Sequence, residues 1–266
     1  MTPSVLAIIG VTIIFSSFLS GVFGMAGGMV LLGVLLNYFD VATGMILFSI
    51  IQFFANGWRV VQWRHYVLWP IFAWYLAGAV ISFAFMWSIP LVPDKAMVYL
   101  ALGLMPFVVE VLPASMRPNI EWRGVPFFTG LVTTIIQILS GVGGMFLDIF
   151  FQKSMLDRKT TNATKAVAQT FSHVVRALYF GSLSGVADVP FWATGPAILL
   201  AIGGTSLAPI VIERMTDHGF RQWTRAIIFA IQTMQSRFDK MHHGFVGRFA
   251  PHAAYLFAGF LFLAAP

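Results

Sequence analysis

The chain has 266 residues, 58% of them hydrophobic and 10% charged, which leaves too little polar surface to cover a water-soluble fold. It has no cysteine, which excludes disulfides, thiolate metal sites and cysteine nucleophiles. The net charge of +6 resides on Lys and Arg gathered in short loops between apolar runs, a pattern that orients a membrane protein and argues against nucleic-acid binding.

The chain opens Met-Thr-Pro-Ser, with no basic segment before the first apolar run, residues 5–37. That run outlasts any signal-peptide core, so it is expected to belong to the mature protein. As one straight helix it would measure about 50 Å against a hydrocarbon core of about 30 Å. It also contains Gly24-Met25-Ala26-Gly27-Gly28-Met29, which predicts a break at mid-membrane and a re-entrant hairpin. Apolar stretches at 43–58, 67–87 and 96–109 follow, completing a first module over residues 1–113. A connecting loop at 114–123 leads to a second module, 124–236. This begins with a run at 125–151 broken at Gly141-Val142-Gly143-Gly144-Met145, continues through 166–180 and 191–212, and ends in an unusually polar helix at 219–235. The tail, 237–266, is basic and then apolar. Its last stretch is too short to span alone, and is expected to lie in the interface or against a second subunit, in which case the chain would form a homodimer.

The two modules repeat. Setting Gly27-Gly28-Met29 on Gly143-Gly144-Met145, with one extra residue after them, pairs Asp40 with Asp157, Gln52 with Gln169 and Arg59 with Arg176; further on, Gly78 falls opposite Gly203. Gln and Arg are rare in apolar helices, so their recurrence in one register carries weight. Each module thus reads as a glycine-broken segment plus three helices, a common transporter pattern. If both broken segments return to their starting side, Arg59, Arg64, Arg117, Arg123, Lys153, Arg158, Lys159, Lys165, Arg214, Arg221 and Arg225 share one face, and only Lys95, Arg237, Lys240 and Arg248 the other. That bias satisfies the positive-inside rule. The fold class expected is therefore an all-α, multi-pass membrane protein of two homologous, inverted modules with both termini outside.

Gln52, Asn56 and Arg59 are spaced i, i+4, i+7, on one helical face, and Gln169, His173 and Arg176 repeat the spacing. Either the arginines snorkel to the headgroups or they face inward. The helix restarts at Gly27, Gly28, Gly143 and Gly144 supply backbone N–H groups at the positive end of a helix dipole, where an anion can approach closely. Two such N-termini with two inward arginines would hold a small oxyanion. Asp148 lies near the second break and would oppose an anion unless protonated or paired with Arg176 or Lys165. It and His173 are the candidates for proton coupling, and pairing or local hydrogen bonding is the alternative for each. No metal-ligand spacing and no hydrolase or nucleotide-binding motif occurs, so neither enzyme chemistry nor a cofactor is expected.

On the doubled glycine motif and the Gln52/Arg59 and Gln169/Arg176 pairs, the chain resembles the TauE/SafE sulfite exporter family over about residues 5–236. The resemblance implies a bacterial inner-membrane secondary transporter that exports sulfite, sulfonates or related organosulfur acids. It departs from the family's richer form, which would carry a third glycine in each break where Met29 and Met145 stand. The residues leave two further readings open: an anion channel built on the same groups, and a non-transporting assembly subunit whose polar stripes bind partner helices.

Overall fold

A computed structural model of the chain describes residues 2–24, 27–101, 117–141, 143–185, 189–220, 222, 223 and 226. These form α1 (Pro3–Phe23), α2 (Gly27–Tyr38), α3 (Val41–Trp63) with a 3-10 turn (Arg64–Tyr66), α4 (Trp69–Trp87), α5 (Val125–Ser140), α6 (Gly143–Phe151), α7 (Arg158–Ser184), α8 (Phe191–Ser206) and α9 (Ala208–Arg214). A further helix begins at Lys95, and no strand occurs among the described residues. Four helical stretches, Pro3–Phe23, Val41–Tyr66, Trp69–Trp87 and Phe191–Arg214, are long and apolar enough to cross a membrane. The polarity is that of a lipid-facing fold: Trp74 and Leu199 are 62% and 72% exposed, while Arg59 and Arg176 are 1% and 0% exposed.

Local chemistry sets the helix ends. Thr2 accepts the Val5 N–H to open α1, with Pro3 where a missing N–H costs nothing. Asp40 and Asp157 cap α3 and α7 in the same way, accepting from Thr43 and from Lys159 and Thr160 respectively. Partial burial works against each carboxylate. The hydrogen bonds from Thr43 and Thr160 outweigh it and hold both carboxyls below their ordinary value. The equivalence of Asp40 and Asp157, visible in the sequence, is thus an equivalence of caps.

Both broken segments fold back on themselves. α1 stops at Gly24 (φ 76°) and α5 at Gly141 (φ 74°), each a left-handed residue whose N–H reaches back four residues, to Ser20 and Gln137. After the first turn α2 lies along α1, so close that a Cβ on Gly27 would run into the Ser16 carbonyl. In the second copy the return is complete: the Phe150 carbonyl of α6 accepts the Ile120 N–H from just before α5, at 2.9 Å.

α3 and α7 form the centre and cross antiparallel. Arg59 bonds Gln169 while Arg176 bonds Ser49, so one helix descends as the other rises. Around them each broken segment packs on the other half of the chain. α5 lies against α4, where Gly78 meets the Phe127 carbonyl and Gly130 meets the Tyr75 carbonyl. α1 lies against α8, where Gly204 meets the Ile14 carbonyl. Gly203, expected opposite Gly78, has nothing within 4 Å, and Gly204 beside it makes the close backbone contact instead.

Basic residues gather at one end. Lys159 lies over the Trp63 and Tyr66 rings, Lys153 over Trp122, Arg117 bonds Gln152, and Arg158 bonds Asp217 and the Ile212 carbonyl. At the other end Lys95 bonds the Leu36 carbonyl and Tyr179 donates to Ile89 and Leu91. Two cations that the sequence assigns to the basic loops, Arg59 and Lys165, are instead withdrawn into the interior. Arg221, Arg225, most of the helix at 219–235 and the whole tail at 237–266 lie outside the described residues, as does most of the fourth helix of module one.

Candidate functional site

The polar interior is organised around the two helix breaks. Where α1 ends, its last carbonyls lack intrahelical donors, and side chains of α7 supply them. Asn162 Nδ2 donates to the Gly21 and Val22 carbonyls, Lys165 Nζ to Phe23 and Gln169 Nε2 to Gly24, at 2.7 to 3.3 Å. Arg59 from α3 adds a bond to the Ser20 carbonyl. A cation at a helix C-terminus also meets the negative end of its dipole. The polar face of α7 is therefore a cap for α1, and Gln169, predicted to bind substrate, spends its amide nitrogen on that cap.

Where α5 ends, the arrangement is sparser. Arg176 donates to the Gly141 carbonyl, to Ser49 Oγ at 2.8 Å and to His173 Nδ1 at 2.9 Å, and its guanidinium lies 4.3 Å from the centre of the Phe48 ring. A guanidinium only donates, so His173 accepts at Nδ1, which in a neutral ring leaves the proton on Nε2. In the repeat register Asn162, Lys165 and Gln169 correspond to Met45, Phe48 and Gln52. Two of the three capping residues thus have apolar counterparts.

Between the breaks lies a cavity of about 40 Å³, large enough to hold water. It is lined by Ser20, Gly24, Gly28 and Met29 of the first hairpin, by Gln137, Gly141, Gly143, Gly144, Met145 and Leu147 of the second, and by Phe48, Gln52, Asn56, Tyr75, Gln169, Ser172 and His173. Most of the residues predicted from sequence are thereby brought together. Gly27 stands behind the lining, in contact with α1. The two guanidinium groups also stand behind it: Arg59 bonds Asn56 Oδ1 at 2.7 Å and Gln169 Oε1 at 2.6 Å, and Arg176 bonds His173. Both arginines therefore act on the cavity wall through the side chains that form it.

The row of side chains predicted on α3 forms a directed chain. Arg59 Nη2 donates to Asn56 Oδ1, and Asn56 Nδ2 donates to the Gln52 backbone carbonyl at 2.9 Å and to Gln52 Oε1 at 3.4 Å. Gln52 is 2% exposed, and its Nε2 has no hydrogen-bond partner among the described residues. On the α6 side, by contrast, Gln137 Oε1 accepts the Gly143 N–H at 2.7 Å while its Nε2 donates to His173 Nδ1 at 3.3 Å.

Charge is unbalanced around this cavity. Asp148 is buried and forms an ion pair with Lys165, which answers the sequence-based question of its partner in favour of Lys165 over Arg176. Arg59 and Arg176 have no carboxylate partner among the described residues. Among the described residues three buried cations face one buried carboxylate, and unpaired buried charge is costly without a counter-ion.

The reading of the sequence alone passed over Tyr75, whose hydroxyl bonds Ser172 Oγ at 2.8 Å and Thr133 Oγ1 at 3.1 Å, and over Ser20, Phe48 and the capping role of Asn162. The available signal was on α7, where Asn162 and Lys165 precede Gln169 by seven and four residues and extend its polar face. For Tyr75 no signal was present, since its neighbours come from α5 and α7.

The family model of the sulfite exporter TauE/SafE matches residues 8–233. No curated protein and no solved structure matches the chain.

Proposed function

The chain belongs to the sulfite exporter TauE/SafE family, a family of membrane transporters, and from that premise we propose that it is a secondary transporter exporting small sulfur-containing anions, such as sulfite or sulfonates, across a bacterial inner membrane. The observation that carries this reading is the excess of buried cations beside the cavity between the breaks, Arg59, Lys165 and Arg176 against Asp148. A bound oxyanion would supply the missing counter-charge, the first turn of α2 would offer it N–H groups, and Gln52, Asn56, Gln169 and His173 would line its site.

Alternating access would come from rocking the two hairpins, with the helices they pack on, about the antiparallel pair α3 and α7, in the manner of an inverted repeat. Asp148 and His173 would couple proton movement to this step. The test is flux of radiolabelled sulfite and taurine in vesicles containing the purified chain. Saturable uptake that is accelerated by unlabelled anion on the far side is expected, and Arg176→Ala should lower it at least tenfold while the protein still inserts. Non-saturable flux without counterflow would instead indicate a channel. Wild-type flux in both Arg59→Ala and Arg176→Ala would sink the site.

A further inference from the structure

The two halves of the cavity repeat in sequence and differ in hydrogen bonding. Gln169 is engaged at both ends of its amide, donating to the Gly24 carbonyl and accepting from Arg59. Its counterpart Gln52 has no break to cap, because Arg176 already holds the Gly141 carbonyl. Asn56 Nδ2, bonded to the Gln52 backbone carbonyl at 2.9 Å, also reaches the Gln52 side-chain oxygen at 3.4 Å, which leaves the amide nitrogen close to the first turn of α2: a Cβ on Gly28 would lie 3.7 Å from it. An amide N–H₂ that is buried, oriented and unpartnered costs stability unless a ligand accepts from it. On the other side, Gln137 places its own amide oxygen on the Gly143 N–H at the start of α6, where an acceptor from a ligand would otherwise sit.

We propose that the chain binds a single oxyanion, on the α2 side of the cavity, with Gln52 Nε2 as its direct donor, and that Gln137 closes the equivalent place at α6 by acting as a built-in acceptor. This rests on the reading of the cavity as an anion site and adds to it a stoichiometry, a direct ligand and a reason for the asymmetry. The shared chemistry is that of a small tetrahedral or pyramidal oxyanion with two or more acceptor oxygens, able to take the Gln52 donor and backbone N–H groups together.

The experiment is calorimetric titration of the detergent-purified full chain with sodium sulfite under nitrogen, and with taurine. One anion per chain is expected for the wild type. Gln52→Ala should weaken binding at least tenfold, and Gln52→Ala combined with Gln137→Ala should regain most of it, because the start of α6 is then open. Two anions per wild-type chain, unchanged affinity in Gln52→Ala, or no recovery in the double variant would each overturn the proposal. The wild-type count decides even where Gln52→Ala fails to give monodisperse protein. If neither anion binds the wild type, the anion reading itself falls and this inference falls with it; if binding is normal but independent of Gln52, only the inference falls.

Discussion

Asn56 holds two neighbours at once, and a single substitution separates them. Its oxygen accepts from Arg59 and its nitrogen orients Gln52. Asn56→Asp keeps the acceptor, gives Arg59 the carboxylate it lacks, and removes the donor that turns Gln52. The expected result is an unfolding temperature that holds or rises, since a buried cation gains a counter-charge, together with sulfite affinity lowered at least tenfold. Thermal unfolding and titration on the same preparation check it; a fall in both would mean that Asn56 is only structural. At this scale the sequence was informative wherever one helix carries the pattern. Gln52, Asn56 and Arg59 could be read from their spacing because polar residues at helical period stand out in an apolar segment. Tyr75, Ser20 and Phe48 could not, because what makes them cavity residues is the packing of four different elements.

Among the elements, the hairpins were legible from length and glycine alone: a run too long to cross once, with Gly24-Met25-Ala26-Gly27-Gly28 at its middle, has to turn. Which helix each hairpin packs on was not legible, since that contact runs between halves of the chain. Small residues make the close approach, but several glycines are available and sequence does not say which one meets backbone. The structure separates the neighbours Gly203 and Gly204. Gly204 faces the Ile14 carbonyl of α1 at a distance no side chain can share, while Gly203 is exposed on the outer surface of α8. Leu at Gly204 is therefore expected to force α8 off α1, at a cost of ~1–3 kcal/mol or more, and Leu at Gly203 to stay within about 0.5 kcal/mol of wild type. Thermal unfolding in detergent distinguishes them. Equal tolerance at both positions would mean that the α1 and α8 backbones are not in contact.

At the scale of the whole molecule, the exchange of partners ties the halves together. α1 packs on α8 and α5 on α4, so residues 1–113 alone would leave the α1 surface at Gly21 and the α4 surface at Gly78 uncovered, with the Asn162, Lys165 and Gln169 caps of α1 missing. Expressed separately, fragments 1–113 and 114–266 are expected to be degraded; expressed together, they should co-purify and restore flux. Stable accumulation of either fragment alone would contradict the interlocked packing. The same geometry suggests how the molecule would sit in its membrane. His65 and Arg123 are exposed at the end where Arg64, Arg117, Lys153, Arg158 and Lys159 collect, and Pro90 is exposed near Lys95 at the other. Basic loops stay on the cytoplasmic side, and on that rule we propose that the basic end is cytoplasmic and the start of α1 lies outside. Because the chain has no cysteine of its own, single substitutions report this directly. In intact cells a membrane-impermeant maleimide should modify Pro90→Cys and leave His65→Cys and Arg123→Cys unmodified until the membrane is opened. The reverse pattern would invert the orientation and with it the direction of transport. Equal labelling of positions 65 and 90 from one side would mean that α4 does not cross, and the basic end would then no longer be a single face.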